Sequence, residues 1–328
     1  MKDRPGPQRG RQGRKTAPGA EGRGVGLALG GGSARGWAHI GVLEAMDEAG
    51  MEVDFIAGTS MGALVGAVYA SGGLAELKKV AMGLDWRQIL GFFDIVFPSS
   101  GLIDGKKVAD FIRSHVKASK IEELDIPFAA VSTDLVSGKE VVLRSGDLIE
   151  AIRASISIPG IFTPVRHGSM VLADGGIVNP VPVSAVREMG AGYIIAVDPM
   201  PGGAGRGGER RAARTPPASD APTRPAILVE LEKRLGRLNI RAVDQIRRWL
   251  SDEGTPNIFD VLVDSIYIME RQICETRLRL DRPDLVIAPK VDVGFLEFSR
   301  AAHAIAQGYR EASYFLFGKK ESKQRKTD

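Results

Sequence analysis

Val53–Tyr69 reads V-D-F-I-A-G-T-S-M-G-A-L-V-G-A-V-Y. A short apolar run, Phe55–Ala57, leads into G-T-S-M-G, Gly58 to Gly62, and then into small helix-forming residues. The order is strand, tight turn, helix, with Ser60 at the apex. Such a turn strains the serine backbone, and Gly58 and Gly62 are required because a Cβ at either position would collide with the neighbouring strand or helix. The hydroxyl is then presented at a helix N-terminus, where the dipole and free N–H groups favour a developing negative charge. Ser60 is a candidate nucleophile. The plainer alternative is a glycine-rich turn around a buried, satisfied serine. Phe55–Ala75 carries no charge, but five glycines, several hydroxyls and few large apolar residues argue against a membrane span.

One unit upstream the same order recurs. Val25–Leu29 reads as a buried strand, G-G-G-S-A-R-G (Gly30 to Gly36) as a loop, and Trp37–Ala49 as a helix with Ile40, Leu43 and Ala45/Met46 at helical spacing, stopped by Gly50. The loop suits either a dinucleotide pyrophosphate or an oxyanion. The G-x-G-x-x-G fingerprint fails: Arg35 is sixth from Gly30, and Ser33 is third from Gly31. The oxyanion reading is the better supported.

Further along, Ala75–Met82 and Lys106–Lys117 have helical patterns, and Phe92, Phe93 and Phe97 suit a core or an acyl-chain pocket. Phe128–Asp134 reads as a strand with Glu140–Leu143 as its hairpin partner, and Leu148–Ala154 as a helix. Met170–Ala173 ends in D-G-G, Asp174 to Gly176, then I-V-N-P-V-P. Asp174 is expected at the C-terminal end of a parallel strand, on the edge where open α/β sheets place ligands, or as an Asx-turn closing that strand. Val183–Met189 is helical and Tyr193–Val197 a buried strand. Pro201–Pro225 is low-complexity, a mobile loop or linker. Ala226–Leu250 is a basic amphipathic helix suited to an anionic membrane, a partner, or its own domain. Ile258–Ile273 carries an apolar stripe at Ile258, Leu262, Ile266, Met269 and Ile273, with Cys274 a small core residue beside it. Leu285–Ala288 is a last strand. Ala302, Ile305, Tyr309 and Leu316 stripe a closing helix, and a charged, frayed tail follows Gly318. This alternation predicts an α/β fold with a mainly parallel sheet covered on both faces.

The expected division is a disordered basic tail at 1–24, a catalytic core at 25–200, a linker at 201–225, a segment at 226–317 completing the same domain, and a charged tail at 318–328. The formal net charge of +4 hides an asymmetry: outside 1–24, 201–225 and 318–328 the chain holds 27 basic against 34 acidic residues. Basic tails suit an anionic membrane surface or simple solubility, and no aromatic-interleaved basic patch argues for nucleic acid. One cysteine excludes a disulfide framework, and four scattered histidines form no metal-ligand cluster, so no metal is expected. No apolar h-region precedes Val25, which makes a cytoplasmic enzyme the expectation.

A serine nucleophile needs a base and an oxyanion site. Ser60, Asp174 and His303 stand in the chain order of an α/β-hydrolase triad, although His303 falls inside the closing helix. The alternative is a dyad in which Asp174 itself accepts the serine proton from a desolvated position. His39 reads as a helix-packing residue, and His115 and His167 as exposed.

G-G-G-S-A-R-G-W-A-H-I-G-V-L, G-T-S-M-G-A-L-V-G-A and A-D-G-G-I-V-N-P-V-P, in this order and at these separations, resemble the three blocks of the bacterial patatin-like phospholipase family, which is related to the catalytic domain of neuropathy target esterase. The resemblance covers Val25 to Val197, and Asp284–Phe317 also looks like the family's ending. It implies a three-layer α/β/α fold and a Ser–Asp dyad hydrolysing acyl esters of lipids without cofactor or metal. By position, Ser60 is the nucleophile, Asp174 the base, followed by the turn glycines Gly175 and Gly176. Gly31, Gly32 and Ser33 form the oxyanion hole, with Arg35 fixing it. Ser33 stands where a third glycine is common, which implies a tighter pocket. The partner implied is a lipid ester substrate; the basic tails and helix 226–250, which lie outside the resemblance, suit by their charge a peripheral contact with anionic membrane at its inner face.

Overall fold

The structure, a computed structural model, describes residues 24–85, 88–89, 103–200 and 258–324. The expectations for the N-terminal tail up to residue 23, for Phe92, Phe93 and Phe97, for the linker 201–225, for the basic helix 226–250 and for the last four residues lie outside them.

Among the described residues eight strands form one sheet: β1 (Val25–Leu29), β2 (Phe55–Thr59), β3 (Phe128–Asp134), β4 (Glu140–Leu143), β5 (Val165–His167), β6 (Met170–Asp174), β7 (Tyr193–Val197) and β8 (Leu285–Ile287). The strand order is β5-β6-β3-β2-β1-β7-β8, with β4 also paired to β3. The five strands from β3 to β8 in that order run parallel; β4, β5 and β6 pair antiparallel. The helices are α1 (Ala38–Glu48), α2 (Met61–Ala70), α3 (Leu74–Gly83), α4 (Lys106–His115), α5 (Leu148–Ser155), α6 (Val183–Glu188), α7 (Ile258–Asp281) and α8 (Ala301–Gln324).

The central strands are buried on both sides, and their two-residue alternation sorts large from small side chains. Leu27, Leu29, Ile56 and Ile195 point into the larger core with α1, α2 and α8. Ala28, Ala57, Ala129 and Ala196 point to the other face, where α6 supplies Val183 and Val186 and α7 supplies Cys274. Helices therefore cover both faces, the expected three layers. Fully buried residues such as Leu27, Leu29 and Ile40 each contribute roughly 1.5–3 kcal/mol to folding. On the larger face α8 lies directly on α1. A Cβ on Gly41 would strike the Ile305 carbonyl and one on Gly308 the Ala38 carbonyl, so two glycines bring the backbones together.

Four expectations are corrected. First, β6 is antiparallel to β3, so Asp174 is not at the end of a parallel strand. It still reaches the ligand edge, because Thr59 ends β2 opposite Val131 while Asp174 ends β6 opposite Ser132. The two strand ends thus meet at adjacent residues of β3. Second, the buried face of α7 is Val263, Ile266, Glu270 and Cys274, whereas Leu262 and Met269 of the expected stripe are exposed. Glu270, outside the expected stripe, takes a buried position instead, because that face of α7 covers a polar strand end. Third, helical structure continues beyond Gly318 to Gln324, with Gly318 at φ 75° interrupting it. Fourth, Ala302 is exposed on α8, and Ala301 and Ala304 are buried instead.

Candidate active site

Ser60 sits between β2 and α2 at φ 54°, ψ −123°, a left-handed conformation costly for a residue with a Cβ. The turn closes tightly enough that a Cβ on Gly62 would strike the Leu29 carbonyl, and one on Gly58 would lie against the Gly62 carbonyl and Ala63 backbone. Two contacts hold the strained residue. Its N–H donates to Ser155 Oγ at 2.9 Å, and Ser155 Oγ donates onward to the Val131 carbonyl at 2.6 Å. Thr59 Oγ1 donates to the Asn179 carbonyl at 2.8 Å.

Asp174 is 1% exposed. Its N–H donates to the Ser157 carbonyl at 2.9 Å, and its own carbonyl accepts from Thr133 Oγ1 at 2.8 Å. Oδ1 accepts from the Gly176 N–H at 2.8 Å, so the Asx-turn reading holds for that oxygen. Oδ2 is buried with no hydrogen-bond partner. Burial raises the carboxyl from 3.8 to about 6, opposed by the neighbouring Ser60 hydroxyl and the Gly176 N–H, which favour the charged form. Serine and aspartate are neighbours, then, with no closed Oγ–Oδ2 hydrogen bond. Catalytic contacts of this kind often tighten only around substrate.

The glycine loop packs against Ser60: a Cβ on Gly31 would be 3.5 Å from Ser60 Cβ. The Gly31 N–H is engaged by the Pro180 carbonyl at 2.9 Å, so this residue, expected as an oxyanion donor, instead anchors the loop. No hydrogen bond occupies the N–H groups of Gly32 and Ser33 among the described residues. Ser33 adopts φ 48°, which explains why glycine would be easier at this position. Arg35 is buried; its N–H donates to the Gly32 carbonyl at 3.0 Å and its guanidinium lies 5.1 Å from the Tyr267 ring centre. The loop is thereby tied to α7.

A cavity of about 110 Å³ opens beside Ser60. Ser33 and Ser60 border it, and its other walls include Leu64, Val108, Phe111, Ile158 and Phe162, with no charged residue among them. Such a space accepts a hydrocarbon chain and rejects a charged group.

No histidine is hydrogen-bonded to Ser60 or Asp174. His303 is exposed on α8, so the triad order has no spatial counterpart. His39 is fully buried, with Nε2 2.7 Å from the Gly30 carbonyl; burial lowers it to about 4 and keeps it neutral. His115 and His167 are partly buried, bonded to the Phe111 carbonyl and to Glu150. Burial and the Asp198 carboxylate push the Cys274 thiol up, which keeps it inert.

Sequence reasoning passed over Ser155, Asn179 and Glu270, and read His39 only as a helix-packing residue. Asn179 was legible as part of I-V-N-P; the others carry no local signature, because each acts on a partner distant in sequence.

A strained serine on a strand-to-helix turn, next to a buried carboxylate and an apolar cavity, is an arrangement that can support attack of the serine on an acyl carbonyl. Residues 27–187 match the family model described as Patatin-like phospholipase, and this stretch is similar to that family. It is similar to an uncharacterized NTE family protein of Mycobacterium tuberculosis, 46% identical over 173 residues that cover 53% of this chain and 48% of that protein. A second NTE family protein of the same organism is 37% identical over 182 residues, 54% of this chain and 30% of its own length. Patatin-like phospholipase domain-containing protein 6 of Mus musculus is 34% identical over 182 residues, covering 53% and 13%. The chain spans about half the length, or less, of these curated relatives. No helix among the described residues is long and apolar enough to cross a membrane.

Proposed function

We propose that this protein hydrolyses carboxylic esters of lipids through a Ser60–Asp174 dyad and an acyl-enzyme intermediate. The observation that carries the reading is the position of Ser60, with the unpartnered Oδ2 of Asp174 on one side and the apolar cavity on the other. Ser60 Oγ attacks the ester carbonyl carbon as its proton passes to Asp174 Oδ2. The charged carbonyl oxygen is held by the N–H groups of Gly32 and Ser33 and by the helix start after Ser60. Collapse breaks the bond to the alcohol, which leaves with the proton from Asp174. Water then attacks the acyl-serine, gives its proton to Asp174, and releases the fatty acid with Oγ protonated again. Burial helps here, because a carboxyl near 6 is a better base at neutral pH than one near 3.8 and is still ionised.

Lysophospholipid, phospholipid and acylglycerol esters all fit this scheme, since the cavity reads the chain and not the head group. Peripheral contact with anionic membrane belongs to the same proposal. The test is hydrolysis of a nitrophenyl fatty-acid ester. Ser60→Ala is expected to lower kcat by about 10³-fold or more. Equal activity in wild type and variant would refute the dyad, and a protein that keeps the fold without turnover would show neither hydrolysis nor fluorophosphonate labelling.

A further inference from the structure

Glu270, 8% exposed, is the one buried carboxylate among the described residues of α7. It is packed onto the turn that carries Asp174. A Cβ on Gly176 would collide with Glu270 Oε1 and would stand 3.2 Å from Asp174 Oδ1, so the two carboxyl groups flank the same glycine. α7 is fixed in that position at two other points. Arg277, two turns along the same face, donates from Nε to the Val178 carbonyl at 3.2 Å and from Nη2 to Glu140 Oε2 at 3.2 Å. Tyr267 lies under the Arg35 guanidinium.

The charged and titratable groups around Glu270 are Asp174 at the end of β6, Cys274 one turn on, and Asp198 beyond it after β7. The nearby cations are Arg35, Arg271 and Arg277. Among the described residues, no ion pair or hydrogen bond joins any of these cations to Glu270; Arg271 pairs with Glu275 and Arg277 with Glu140. An unpaired carboxyl in the interior, beside a second carboxyl, is expected to keep its proton. Burial and the Asp174 charge both push Glu270 well above the usual range. Two carboxyls in one dry site cannot both ionise, and the partner facing the serine is the one already favoured by the Ser60 hydroxyl and the Gly176 N–H.

We propose that Glu270, as the neutral acid, is a positioning residue for Asp174, sealing it from water and leaving a single negative charge beside Ser60. The inference rests on the dyad reading above. It makes the cover helix part of the site: when Glu270 loses its proton to solvent at alkaline pH, a second negative charge appears beside Asp174. The two carboxylates then repel, and Asp174 is pushed away from Oγ. The alkaline limb of the activity profile is assigned to this one group.

The test measures kcat and KM for a nitrophenyl fatty-acid ester across pH in wild type, Glu270→Gln and Glu270→Ala, with Ser60→Ala as reference. Glu270→Gln keeps the volume and cannot ionise, so its alkaline fall is expected to vanish. Glu270→Ala opens the space beside Asp174 and is expected to lower kcat roughly 10- to 100-fold with little change in KM, a loss that Gln largely restores. The infrared spectrum of wild type at neutral pH is expected to contain a protonated-carboxyl band that is missing in Glu270→Gln, a readout that does not depend on turnover. An alkaline limb in Glu270→Gln identical to wild type, or no such band, overturns the role of Glu270 and leaves the dyad standing. Full activity in Ser60→Ala overturns the dyad and this inference together.

Discussion

The hydroxyl side and the carboxylate side of the site are built in opposite ways. Ser60 faces a cavity, and the rigidity around it is in the backbone: a strained φ, a close approach to Leu29, and an N–H held by Ser155. Asp174 faces protein, and its surroundings are sealed by Gly176, Thr133 and a helix bearing a second carboxyl. The hydroxyl half, which meets substrate on the proposed reading, is open and apolar; the carboxylate half, which would move the proton, is closed and polar. Shape governs the first half and desolvation the second, so substitutions should separate them.

The largest effect is expected at the carboxylate. Asp174→Asn removes the base and should lower kcat by about 10²–10⁴-fold, while stability moves the other way. A carboxyl raised to about 6 binds a proton in the native state that the unfolded chain has released, so native stability falls as pH rises from 3.8 towards 6. The asparagine variant escapes this cost and should melt at a higher temperature than wild type above about pH 6, as scanning calorimetry would show. A lower melting temperature would mean that Asp174 is structural.

Gly62→Ala attacks the hydroxyl side through shape. Its Cβ must displace the Leu29 carbonyl, for a loss of about 1–3 kcal/mol by urea denaturation together with lost turnover. Wild-type stability in this variant would contradict the close approach. Val108→Trp fills the cavity from α4. The ratio of kcat/KM for long-chain over acetyl esters should fall about tenfold, and an unchanged ratio would place the chain elsewhere.

The pH profile sharpens the contrast further. Asp174 must be ionised to act, so wild-type kcat/KM should rise with pH through about 6. The smallest effect is that of His39, which is neutral in the fold and lowered to about 4. Below 6.5 the unfolded chain takes up a proton the native state refuses, so stability is lost as pH falls from 6.5 to about 4. His39→Gln, able to donate to the Gly30 carbonyl, should flatten that acid loss in chemical denaturation. An unaltered acid slope would assign the loss to other groups.

Much of this was readable in the chain because strand, glycine turn and helix are local. β1 and β7 fall at the expected bounds, and the strand-turn-helix around Ser60 requires only Gly58, Gly62 and the flanking apolar residues. α7 shows where such reading fails. Its apolar periodicity pointed to Leu262 and Met269, yet the buried face carries Glu270, because what lies beneath it is the Asp174 turn and not hydrocarbon. The loop failed in a smaller way: three residues in G-G-G-S have similar backbone donors, and only the Pro180 carbonyl reveals that Gly31 has spent its own.

By itself, the sequence determined the order of layers, the strained serine and the chemical type of each candidate group, since these follow from side-chain volume, helix and strand period, and glycine's missing Cβ. Tertiary structure decided which oxygen of Asp174 stays unpartnered, which N–H groups remain open, and that Glu270 stands beside the aspartate. Those are matters of desolvation and long-range register, set when β2 and β6 end at neighbouring residues of β3 and α7 closes over them.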